Sequence, residues 1–138
     1  MTNSAFLMPV IALIIWSLLV WCVLYARRIP AMQKAKMAPD IAKSPNGDWK
    51  SQLPLKVEAA AHNYNHLMEQ PTIFYAFMFW AVLTGSMSQM ILWLAWAYVV
   101  LRVLHSFIQM STGPVMARFS IFAISTLCLM AMIVLALI

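Results

Sequence analysis

Charge is scarce in this chain. Only 9% of its 138 residues are Asp, Glu, Lys or Arg, against 64% hydrophobic. A soluble domain of this size needs roughly a quarter charged residues to cover its surface, so a fully water-facing exterior is excluded. Glycine is nearly missing as well, at 3 residues, and no Gly-rich phosphate loop can be read from them. The 2 cysteines, Cys22 and Cys128, each lie inside an apolar stretch. They supply neither a disulfide framework nor a metal spacing and read as small hydrophobic packing residues. No catalytic-triad spacing is present.

What the chain has is long apolar runs. A bilayer core about 30 Å thick takes roughly 20 apolar helical residues per crossing, and four such stretches fit. The expected fold is an all-α, integral membrane four-helix bundle of antiparallel up-down topology. Its spans are expected at about 5–25, 70–84 on a longer helix over 55–84, 89–110 and 115–138, with Pro71 placed to bend the longer helix. The first stretch lacks a preceding basic residue and a clear cleavage signature, so it reads as a retained helix. The 12 Met residues are adaptable apolar filler of the spans. No internal repeat or separate soluble domain is visible.

The basic residues are clustered. Seven of the nine Lys and Arg (Arg27, Arg28, Lys34, Lys36, Lys43, Lys50 and Lys56) fall between the first and second apolar stretches. Nucleic-acid binding is therefore a poor reading of the net charge of +5. A membrane-flanking loop over 26–54 that attracts anionic lipid is the better one. Pro30, Pro39, Pro45 and Pro54 break this segment, and Trp49 is placed to dip into the membrane interface. The positive-inside rule puts the loop in the cytoplasm, with both termini on the opposite side.

A few polar residues lie deep in the apolar pattern. Measured from the uncharged turn at Gly85, Glu69 and Arg102 both lie about 22 Å down their helices, at 1.5 Å per residue. Antiparallel neighbours bring them side by side. An ionised group in the bilayer costs about 2.5–3.5 kcal/mol, so an ion pair between them is expected. His62, Asn65 and Glu69 follow helical spacing on the second helix, and Arg102, His105 and Gln109 repeat it on the third. With His66, these stripes imply one polar cleft, for which Arg118 supplies a second cation. The alternative is a satisfied network that only holds the bundle together, with Arg118 snorkelling to the interface. His62 and His66 sit one turn apart but lack a third strong ligand, so no metal is expected.

The segment Ala61-His62-Asn63-Tyr64-Asn65-His66-Leu67-Met68-Glu69-Gln70-Pro71 resembles the second-helix signature of the MAPEG family, the membrane-associated proteins of eicosanoid and glutathione metabolism. Leu101-Arg102-Val103-Leu104-His105-Ser106 and Arg118-Phe119 are similar to its uncharacterised bacterial branch. The resemblance implies a homotrimer in the bacterial inner membrane, with glutathione held near the cytoplasmic side between subunits. Asn65 and Glu69 would bind the tripeptide, Arg102 would be structural or carboxylate-binding, and Arg118 would be the catalytic group that stabilises the thiolate. Three features depart from the family pattern. Asn65 and Glu69 are four apart where active members usually have three, and the helix-two Arg expected one turn before the Asn is missing. His105 and Gln109 stand where tyrosines are common.

Two functions follow. One is a glutathione-dependent transferase or peroxidase acting on lipophilic substrates. The other is a non-catalytic structural or accessory subunit of a larger membrane complex. A small transporter or lipid-binding module is the third reading, disfavoured because no broken-helix pair is evident.

Overall fold

The computed structural model describes residues 1–138 and is all-helical, with no strand. A short helix α1 (Asn3–Phe6) is capped by the Thr2 hydroxyl, which accepts from the Ala5 N–H at 3.2 Å. Then come α2 (Met8–Lys34), two 3-10 turns at Pro39–Lys43 and Asp48–Gln52, α3 (Leu55–Leu67), α4 (Pro71–Leu83), α5 (Gln89–Met110) and α6 (Val115–Leu137).

Only 33 of the 138 residues are buried, and large apolar side chains such as Ile15, Leu18, Phe79, Trp93, Leu127 and Met130 point outward. In water this would be ruinous. In lipid it is required, because the solvent is itself apolar and backbone polar groups must be satisfied inside the helices. Three helices, α2, α5 and α6, are long and apolar enough to cross a membrane. The core between the helices is built on Leu13, Phe74, Met78, Ile91, Tyr98 and Met132, and Phe74 stacks on Tyr98 at 4.6 Å.

The second crossing differs from the single helix, bent at Pro71, expected over 55–84. Helix α3 stops at Leu67 and α4 begins at Pro71, 13 residues long and too short to span by itself. Pro71 has no N–H to give to the preceding turn, and the chain tightens around it. Met68 bonds back to the Asn65 carbonyl at 2.9 Å, and Ile73 to that of Gln70 at the same distance. The crossing is thus interrupted at Met68-Glu69-Gln70, a full break where a bend at Pro71 was expected. A single interruption is still not the symmetric pair that marks transporters.

Helix α2 continues past its apolar stretch to Lys34, through Pro30. Arg27 and Arg28 are therefore helical, and the true loop begins later than residue 26. Trp49, expected to dip into the membrane interface, is covered by the chain itself. It is 6% exposed, packed with Leu53 and Val57 against Ala31, Met32 and Met37, and its indole N–H donates to the Ser44 carbonyl at 2.8 Å.

Helix ends compensate for the scarcity of glycine. After α4, Gly85 takes φ +72°, Ser86 donates to the Ala81 carbonyl at 2.9 Å and Gly85 to that of Val82 at 3.3 Å. That is a Schellman cap. The same pair of bonds closes α2 around Lys36 (φ 52°) and α5 around Thr112 (φ 58°), two non-glycine residues in the left-handed region. After Thr112, only glycine fits at 113, because a Cβ there would lie 2.7 Å from Ile108 Cγ2.

Arg27 locks the loop end of the bundle. Its Nη1 donates to the Lys56 carbonyl and to the Met110 carbonyl, each at 3.0 Å. One guanidinium on α2 so ties the start of α3 to the end of α5, where unpaired carbonyls and the helix dipole favour a cation.

Candidate functional site

The break before Pro71 governs the polar interior. Ending α3 at Leu67 frees carbonyls of its last turn, and Arg102 answers them. Arg102 is 0% exposed. Its Nη2 lies 2.7 Å from His66 Nδ1 and donates to the His66 carbonyl at 3.2 Å. Its guanidinium also sits 5.4 Å from the centre of the Phe122 ring. A fork of N–H groups at a helix C-terminus satisfies orphan acceptors and complements the dipole.

This overturns the expected Glu69–Arg102 ion pair. No carboxylate lies within salt-bridge distance of Arg102, and Glu69 is exposed on the outside of the break. Asn65 is exposed as well. The physical reason is rotational. Helical spacing assigns a face only while the helix is unbroken, and Glu69 lies just beyond the end of α3. On α5, which is continuous, Arg102, His105 and Gln109 are all buried.

The remaining polar residues do converge. His66 and His105 stack at 4.7 Å with ring planes 17° apart, and Phe122 meets the edge of His66 at 5.2 Å. His66, His105, Gln109, Arg118 and Phe122 line a cavity of about 230 Å³. A second, of about 320 Å³, is lined by Ala59, His62, Gln109, Thr112 and Arg118. The two adjoin at Gln109, Val115 and Arg118. Together they form a cleft between α3, α5 and α6 at the loop end of the bundle. Of the eight candidate residues, five (His62, His66, His105, Gln109 and Arg118) line it. Arg102 stands behind His66, while Asn65 and Glu69 are on the outer surface.

Several polar atoms here are buried without a partner. They are Arg118 Nε, Gln109 Oε1, Arg102 Nε and Nη1, and both side-chain polar atoms of Asn63. Buried polar groups are nearly always bonded, and each orphan costs about 1–3 kcal/mol. Of these, the Arg118 donor and the Gln109 acceptor belong to residues that line the cleft, which makes it receptive to a polar ligand that carries a negative charge. No group of three or more His, Cys, Asp or Glu side chains comes together that could hold a metal.

Sequence reasoning missed several contributors. Asn63, 0% exposed, is the buried asparagine of α3, in place of Asn65. Its spacing from Ala59 and His66 puts it on the cleft side of the helix. Gln70 joins three helices: its Nε2 donates to Thr126 Oγ1 at 2.8 Å, and its Oε1 accepts from the Tyr98 hydroxyl at 3.3 Å. Glu58, 9% exposed, pairs with Arg28 at 3.4 Å. The signal for Gln70 was its place directly before Pro71, where a helix restart leaves backbone and side chain free to bond across the bundle.

An all-helical bundle with an outward apolar surface and one polar cleft near a basic rim defines a polytopic integral membrane protein. The chain belongs to the MAPEG family, whose model matches residues 6–138, essentially the whole length. No curated protein and no solved structure matches it.

Proposed function

We propose that the protein binds glutathione, or a closely similar anionic thiol, in the cleft between α3, α5 and α6, and uses it on lipophilic substrates as a transferase or peroxidase. One observation carries this reading. Arg118 Nε and Gln109 Oε1 are buried and unpartnered on the walls of the same cleft. Arg118 is half-buried at the start of α6, where its charge attracts a carboxylate or thiolate. A cation beside a thiol favours the nucleophilic thiolate. In conjugation the thiolate lone pair forms the C–S bond, and the electron pair displaced from carbon departs with the leaving group. The outward apolar surface gives an oily electrophile access from lipid.

Glu69 supports an oligomer, the homotrimer being the reading that family membership favours. An ionised carboxylate facing hydrocarbon costs about 2.5–3.5 kcal/mol, and Asn65 is exposed beside it. A neighbouring subunit covering this face relieves both and adds polar groups to its own cleft. We place the protein in the bacterial inner membrane with the basic loop in the cytoplasm, as its charge bias favours.

Titration of detergent-solubilised protein with glutathione, followed by thiolate absorbance and binding heat, tests the reading. Saturable binding is expected, weakened about tenfold or more by Arg118→Ala, the loss of roughly 1.4 kcal/mol or more. The absence of both signals at millimolar glutathione overturns it. The accessory-subunit reading then takes its place. It draws on Arg102, whose Nη2 is committed to the end of α3.

A further inference from the structure

Two more cavities share no lining residue with the cleft, and they meet at one residue. The first, about 530 Å³, opens between the end of α2 and the start of α3 and is lined by Arg27, Lys34 and Lys56 with no acidic side chain. The second, about 520 Å³, runs between α2 and α5 along Trp16, Val20, Phe107 and Met110. Arg27 lines both.

The charges of the first cavity are uncompensated. The chain makes two ion pairs, Arg28–Glu58 and Lys43–Asp40, and neither involves Arg27, Lys34 or Lys56. The second cavity is apolar, with Trp16 and Phe107 rings 5.1 Å apart at its far end. From Trp16 to Arg27 the groove follows α2 for about 16 Å at 1.5 Å per residue, close to half of a bilayer core of about 30 Å. From Arg27 outward the cationic cavity lies beyond the apolar stretch, at headgroup level. An apolar groove one leaflet deep that ends in a cluster of three cations matches an amphipath with one anionic end.

We infer that these two cavities form a binding site for one anionic phospholipid, with its phosphate among Arg27, Lys34 and Lys56 and one acyl chain along the α2–α5 groove. Diffuse attraction of a polybasic segment to an anionic surface needs only charge. The site adds a shaped apolar groove continuous with the cations, and therefore a fixed stoichiometry. Arg27 is the joint. Its Nη1 is already held by the Lys56 and Met110 carbonyls, so the bound headgroup lies against the contact that ties α2, α3 and α5. The inference is independent of what occupies the cleft between α3, α5 and α6.

Native mass spectrometry of the protein in mixed micelles tests it, with phosphatidylglycerol competing against phosphatidylcholine of the same chains. One phosphatidylglycerol per protomer is expected, at least about tenfold preferred. Lys34→Gln with Lys56→Gln, both exposed positions, should bring the preference near parity. Lys36→Gln with Lys43→Gln removes the same charge outside the cavity and should leave it intact. Cys22→Trp, which fills the apolar groove from an exposed position, should weaken retention of the lipid. Glycerol phosphate, a headgroup without chains, should not displace it at equal concentration. Equal loss in the two lysine pairs overturns the site in favour of diffuse charge. Full displacement by glycerol phosphate, with Cys22→Trp without effect, overturns the lipid in favour of a free phosphate.

Discussion

Replacing Arg102 with methionine keeps a long side chain in the core and removes its charge. Two bonds disappear, to His66 Nδ1 at 2.7 Å and to the His66 carbonyl at 3.2 Å. Hydrogen bonds to charged groups contribute about 1.5–3 kcal/mol each, so the gross loss is about 3–6 kcal/mol. Against it stands the relief of an arginine inside the membrane, about 2.5–3.5 kcal/mol. The net change is a destabilisation of about 0–3 kcal/mol. Coupling energies are sharper. A double-mutant cycle of Arg102→Met with His66→Phe, which keeps the stacked ring, should give about 1–2 kcal/mol. The cycle with Glu69→Ala should stay under about 0.5 kcal/mol, since those groups make no contact. Breaking a true buried pair would cost about 3–5 kcal/mol by removal of either partner. Reversible unfolding in detergent supplies the measurement. A Glu69–Arg102 coupling above about 1 kcal/mol, with His66–Arg102 near zero, would refute the claim that Arg102 serves the end of α3.

Other perturbations test separate parts of the bundle. Lys36→Gly should raise stability by about 0.5–1 kcal/mol by relieving a left-handed residue, read as a higher unfolding midpoint. Gly85→Ala should lower it by about 1 kcal/mol through backbone conformation alone, because open space surrounds that position. Gln70→Leu removes the bridge between Tyr98 and Thr126 and should cost about 1–2 kcal/mol, whereas Thr126→Ala should cost less because Gln70 keeps Tyr98.

The contrast between α5 and the broken α3–α4 crossing explains which parts of the site were legible in advance. Along α5 the spacing of Arg102, His105 and Gln109 correctly placed all three on the buried side. Across the break the same reasoning failed for Glu69, because counting residues gives depth, whereas azimuth is lost where Pro71 interrupts the helix; Asn65, still within α3, falls on its exposed face while Asn63 takes the buried one. Depth matching of Glu69 and Arg102 was therefore no guide to contact. His66, read only as a neighbour in depth, turned out to be the partner.

Composition and pattern alone were enough for an all-helical membrane protein, a basic segment after the first crossing and a MAPEG resemblance. These follow from one-dimensional quantities, the hydropathy of a stretch and the position of its charges. Which carbonyl Arg102 caps, that Arg27 ties three helices, and which asparagine is buried were decided only by the packed structure. Such pairings depend on the rotation of each helix against its neighbours, and that rotation is set by where a helix breaks and which freed carbonyls must find a donor.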